Sequence, residues 1–215
     1  MVTQYPTYIE HIPILGKIIA ENVPYEEFLE ADYGDVHVEW VYGKVVEMPG
    51  ISDEHDEIVR FIEILLFAFL EATGGGRIFQ DPRLMDLGDS LPRRAPDLQV
   101  LLPESFHKIG RNQNIGPADL VVEVVSKGSE RIDRIHKFTE YEKGGVKEYW
   151  VIDPIHQEAL FYQLDENGIY QRATPAEDGR YYSSALKGFW IPVMTLWQSP
   201  SPTLRDILDW VRDMK

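Results

Sequence analysis

ADLVVEVVS, residues 118–126, is an almost unbroken apolar run rich in valine. A half-exposed strand would alternate apolar and polar residues, so this run reads as a strand buried on both faces of a sheet. Glu123 interrupts it near its centre. An ionised carboxylate there is costly to desolvate unless a cation or a set of donors compensates it. A second acid, Asp97, stands in RRAPDLQVLL, residues 93–102, a shorter apolar run that also reads as a strand. A single acid in a strand is more often one half of a buried ion pair. Two acids on two apolar strands, each near a strand end, tilt the reading toward a hard-cation site. Mg²⁺ or Mn²⁺ takes a few oxygens and keeps waters, and the carbonyl of Val124 is a candidate third protein ligand.

Working outward, VHVEWVYGKVVEM, residues 36–48, predicts a hairpin turning at Gly43. Upstream, residues 1–35 read as a prelude packed on the core, with a short helix in PYEEFLEA after Pro24. The clearest helix follows the hairpin. Ile58, Phe61, Ile62, Leu65, Leu66 and Phe69 recur at helical spacing, Ser52 or Asp53 can cap the start, and Gly74-Gly75-Gly76 stops it. RIFQDPRLMD, PDLQVLLP and ADLVVEVVS then predict three strands, and a second helix runs from about Glu130 to Lys143. KEYWVIDP reads as another buried strand, EALFYQL and GIYQRA as a hairpin turning at Asn167-Gly168, and FWIPV as a short strand. LRDILDWVRDM closes the chain as a helix. This order predicts a mixed α+β domain over residues 36–215: a central mixed sheet flanked by helices, with an N-terminal and a C-terminal hairpin.

Composition bounds the chemistry. At 215 residues with 44% hydrophobic and 12% aromatic side chains, the chain can bury a substantial core. No cysteine is present, which excludes disulfides, thiolate nucleophiles and cysteine-bound zinc. The longest apolar stretch, IEILLFAFL, is too short for a membrane span and contains Glu63. The first residues show no basic leader followed by an apolar segment, so the expected location is the cytoplasm. The net charge of −15, from 36 acidic and 21 basic side chains, argues against binding nucleic acid mainly through counterion release. An enzyme that engages nucleic acid transiently needs only a local basic rim. The nearest candidates are Arg93 and Arg94, and the group Lys127, Arg131, Arg134 and Lys137.

Several other residues are weaker candidates. On a helical wheel from Glu130, the apolar stripe is Ile132, Ile135, Phe138 and Tyr141, which leaves Lys137 on the flank as a solvated partner of Asp133. His55, in the first turn of the long helix, reads as a core or capping residue. Glu39 alternates with apolar neighbours and so points to solvent. No phosphate-binding loop surrounds Gly74–Gly76, and no G-x-S-x-G elbow is present.

The combined pattern resembles a known family. PADLVVEVVSKGSERIDRIHKFTEYEKGGVKEYWVIDP joins an apolar strand ending E-V-x-S, a D-x-x-x-K-x-x-x-Y helix and a G-V-x-E-Y-W-x-V-D-P strand. With EWVYGKVVEM, His55 and Ala95-Pro96-Asp97, it is similar to the Uma-type restriction endonuclease family over roughly Val36 to Trp197. The resemblance implies a restriction-endonuclease-like core of the PD-(D/E)-x-K class. It implies a Mg²⁺ or Mn²⁺ ion held by Asp97 and Glu123, and a Mg²⁺-dependent endonuclease acting on DNA, as a homo-oligomer such as a dimer. Where the wider class has a lysine two residues after the glutamate, this chain has Val125. The resemblance moves that role to Lys137, and it places His55 and Glu39 at the site. The proline usual after E-V-x-S is Lys127 here. The rival expectation is a catalytically silent interaction module that keeps the fold and its buried acids.

Overall fold

The computed structural model describes residues 14–50 and 52–214. The prelude as far as residue 13 therefore lies outside the described residues. From residue 14 on, it contributes a strand as well as the expected helix: β1, Lys17–Ala20, and α1, Tyr25–Glu30, entered from Pro24. The hairpin forms as expected from β2, Val38–Val41, and β3, Lys44–Glu47. Both turn residues have positive φ, Tyr42 at 49° and Gly43 at 83°, the combination that suits a two-residue hairpin turn.

Helix α2, Asp53–Thr73, starts at Ser52, whose side chain accepts from the backbone N–H of His55, and ends at Gly74 with φ 109°. Its buried face is the predicted stripe of Ile58, Phe61, Ile62, Leu65, Leu66 and Phe69. Each such side chain, fully withdrawn from water, is worth roughly 1.5–3 kcal/mol. RIFQDPRLMD does not form one strand. It divides at Asp81-Pro82 into β4, Arg77–Gln80, and β5, Leu84–Asp86, because proline cannot donate to a ladder. The two pieces join different sheets.

The remaining strands are β6, Arg93–Arg94; β7, Leu98–Leu101; β8, Gln113–Ile115; β9, Leu120–Val124; β10, Glu148–Asp153; β11, Glu158–Leu164; β12, Tyr170–Ala173; β13, Arg180–Tyr182; and β14, Trp190–Pro192. Helix α3, Phe138–Gly144, follows a π-helical stretch at Ile132–Lys137, and α4 spans Leu204–Asp213. The architecture is mixed α+β. Where one central sheet was expected, two six-stranded sheets form, ordered β1-β3-β2-β6-β5-β8 and β12-β11-β10-β9-β7-β4, beside a small β13-β14 ribbon.

In the second sheet β9 is central, parallel to β10 and antiparallel to β7. Leu98, Val100, Leu120, Val122 and Val124 pack beneath α2 on one face, while Val121 and Val125 join Tyr141 and Tyr149 on the other. That double burial accounts for the unbroken apolar run. Among the described residues no helix is long and apolar enough to cross a membrane.

Candidate active site

The site sits where β7 and β9 meet. Leu98 pairs with Val122, so continuing the antiparallel register by one residue sets Asp97 opposite Glu123 on the same face of the sheet. Both acids line one cavity of about 60 Å³, together with Glu39, His55, Asp133 and Lys137. Five expected residues thus meet in one place: Asp97, Glu123, Lys137, His55 and Glu39.

Lys137 is the first correction to the wheel. It is buried, not solvated, with Nζ 2.8 Å from Glu123 Oε2 and 3.1 Å from Asp133 Oδ1. Asp133, Lys137, Glu140 and Tyr141 lie on one side of this helical segment, and that side, not the one carrying Ile135, faces the core. Ile132, Asp133, Lys137, Glu140 and Tyr141 turn inward, whereas Ile135, assigned by the wheel to the apolar stripe, is 54% exposed.

Glu123 is held from both sides. Oε1 accepts from the Tyr141 hydroxyl at 2.6 Å, and Oε2 faces Lys137. Burial nevertheless pushes its carboxyl up to about 8; Lys137 opposes the rise, while the charges of Asp97 and Asp133 add to it. Burial raises Asp133 for the same reason, although Lys137 and the Ser129 hydroxyl, 2.5 Å from Oδ2, favour its anion. For Lys137, burial favours the neutral amine, but Glu123, Asp133, Glu39 and Asp97 overwhelm it and hold the ammonium well above its ordinary value. Two buried acids, Glu123 and Asp133, share this one ammonium.

Asp97 Oδ2 accepts from the backbone N–H of Val124 at 2.6 Å and lies 3.2 Å from His55 Nε2. His55 is therefore neither a plain core residue nor only a cap. Burial lowers its pKa, yet the hydrogen bond and charge of Asp97 leave it raised. Its Nδ1 is buried with no hydrogen-bond partner among the described residues.

Glu39 does not point to solvent, which is the second correction. It is 1% exposed, with Oε2 2.9 Å from Arg94 Nη1 and Oε1 accepting from the N–H of Ala95 at 3.2 Å. Burial favours its neutral form, but Arg94 and Lys137 lower its pKa overall. Arg94 completes a fork with Glu140 at 2.9 and 3.0 Å.

The expected basic rim is the third correction. Arg93 is buried against Asp86 and Asp89, Arg94 against Glu39 and Glu140, and Arg134 is paired with Asp153 and Glu158. Of the six residues considered, only Lys127 and Arg131 are exposed. The two arginines of β6, in the first sheet, turn inward because acids on neighbouring elements pair with them.

Tyr141, which the sequence places on the apolar stripe and at the end of the D-x-x-x-K-x-x-x-Y pattern without a role, is also a polar contact of Glu123. Its spacing of four from Lys137 was the available signal. His37 and Asp81, 2.7 Å apart and lining the same cavity, carried no such signal.

Among the described residues, no three His, Asp or Glu side chains form a complete metal cage. What the cavity does offer is two acids, Asp97 and Glu123, facing each other across β7 and β9 where acids outnumber cations.

The model of the Uma2 family, described as "Putative restriction endonuclease", matches residues 25–194. The chain belongs to the Uma2 family. All of the residues named above as site candidates fall inside that match. No curated protein matches this Uma2 chain. Among solved structures it is similar to one titled "Crystal structure of a putative nuclease belonging to DUF820", from Anabaena variabilis, with TM-score 0.63 and 16% identity. The alignment covers 88% of this chain and 99% of that one, and at such identity the likeness is one of fold.

Proposed function

We propose that this Uma2 chain is a divalent-metal-dependent nuclease that hydrolyses phosphodiester bonds in DNA. The observation that carries the reading is the Lys137 ammonium 2.8 Å from Glu123, at the strand end that faces Asp97. Family membership supports the same class of chemistry. Asp97, Glu123 and the Val124 carbonyl would hold Mg²⁺ or Mn²⁺. When bound, such an ion polarises the scissile phosphate and lowers the pKa of an attacking water.

The chain's own groups do the rest. Lys137, kept cationic by the acids around it, donates N–H bonds toward developing negative charge or orients the water. His55 fixes one oxygen of Asp97. Glu39, bound by Arg94 and Ala95, acts through its charge on Lys137 rather than by direct contact.

The test is incubation of purified protein with supercoiled plasmid and with single-stranded DNA, at low salt, with Mg²⁺, Mn²⁺ or chelator. Cleavage is expected with metal and lost in chelator. It should fall at least ~100-fold in Glu123→Gln and in Lys137→Met. Cleavage unchanged in Glu123→Gln would identify a contaminant and remove the proposal.

A second reading, a catalytically silent interaction module, is favoured by one observation: Tyr141 and Lys137 already engage both oxygens of Glu123. The net charge of −15 points the same way. Failure to cleave any nucleic acid with either metal would select it.

A further inference from the structure

Tyr141 is fully buried on α3, and its hydroxyl donates to Glu123 Oε1 at 2.6 Å. Its ring meets Tyr149 edge to face, with centroids 5.0 Å apart. Tyr149 in turn donates to the carbonyl of Asp133, inside the π-helical stretch. The phenol is thus locked by packing, and it engages the oxygen of Glu123 that Lys137 does not.

We propose that Tyr141 is a positioning residue that sets the orientation of the Glu123 carboxylate for a divalent cation; the inference rests on the metal-dependent reading above. Each carboxylate oxygen carries two lone pairs. One on Oε1 is committed to Tyr141 and one on Oε2 to Lys137, which restrains the carboxylate plane and leaves one on each oxygen uncommitted to either partner. Without the phenol, Glu123 would be free to rotate about its terminal torsion, which is broad. It would also lose a donor that favours its ionised form in a buried place. Partners that orient a metal ligand in this way are worth about 10–100-fold in metal affinity.

The experiment is calorimetric titration of Mn²⁺ into wild type, Tyr141→Phe and Tyr170→Phe, with thermal melts of each. Tyr170 is a matched control. It is buried in the same aromatic cluster, but its hydroxyl donates to the Val146 carbonyl, away from the cavity. Tyr141→Phe should bind Mn²⁺ about 10-fold more weakly, and Tyr170→Phe should bind as wild type does even if its melting temperature falls. Equal or tighter binding by Tyr141→Phe, or equal weakening in both variants, overturns the positioning role while leaving the metal site standing. No Mn²⁺ binding by wild type overturns the metal-dependent reading itself, and this inference with it. Should Tyr141→Phe fold only marginally, the same titrations of all three proteins are made at low temperature with trimethylamine N-oxide, an osmolyte that favours the folded state without restoring the hydroxyl.

Discussion

Two networks of buried charge lie side by side in this chain, and they are built differently. Around Arg94, a planar guanidinium meets Glu39 and Glu140 with hydrogen bonds of 2.9 to 3.0 Å, and its charge helps to lower the pKa of Glu39. Around Lys137, a single ammonium faces Glu123 and Asp133, both of whose carboxyls are raised by burial. The first network is compensated and behaves as structure. The second has more acids than cations, so burial keeps protons on Glu123 and Asp133 that a bound cation would have to displace. Burial alone does not mark a functional acid; incomplete compensation does.

The largest effect should come from breaking the compensated network. Arg94→Met leaves Glu39 and Glu140 buried without their cation and should cost about 3–5 kcal/mol in urea unfolding. Lys137→Met should cost less at neutral pH, because Glu123 and Asp133 already favour the protonated form. A larger loss for Lys137→Met would erase the distinction between the networks.

Opposite signs are expected when each acid is neutralised. Glu39 has a depressed folded pKa, so its contribution is present above its ordinary value near 4.5 and lost as pH falls through the folded value. Glu123 is raised, so the folded state holds its proton longer, and stability falls as pH rises from about 4.5 to about 8. In chelator at pH 9, Glu123→Gln should therefore stabilise the protein, and it should remove a slope of up to about 1.4 kcal/mol per pH unit below pH 8. Glu39→Gln should destabilise by about 1 kcal/mol or more at pH 7. Unfolding curves across pH 4–9 measure both, and a shared sign would refute the contrast.

The smallest effect tests the helical stretch that delivers Lys137. Ile135→Ala should change stability by no more than about 0.5 kcal/mol, as expected of an exposed position. Ile132→Ala, 5% exposed, should cost ~2–4 kcal/mol. Comparable costs would return Ile135 to the buried stripe.

The site was legible where it lies on strands. Glu123 and Asp97 stood out as acids in apolar runs, and a period of two leaves little room for error about which face a residue takes. Resemblance, not periodicity, brought Lys137, His55 and Glu39 to the same place. The arginines were misread because a two-residue strand such as β6 carries no pattern of its own.

By itself the sequence determined the mixed α+β class, the long helix with its cap and glycine stop, both hairpins and the two strand acids. Those are local signals: spacing, turn residues and runs of apolar side chains act over a few residues. Only the tertiary structure decided that the strands divide into two sheets, that Arg94 closes a buried fork, and that the side of the helix carrying Lys137 and Tyr141 packs onto Glu123. These outcomes depend on residues far apart in the chain. Asp133, Lys137 and Glu123 settle their geometry against one another in a space cut off from water, where compensation of charge outweighs the local preference of any one turn.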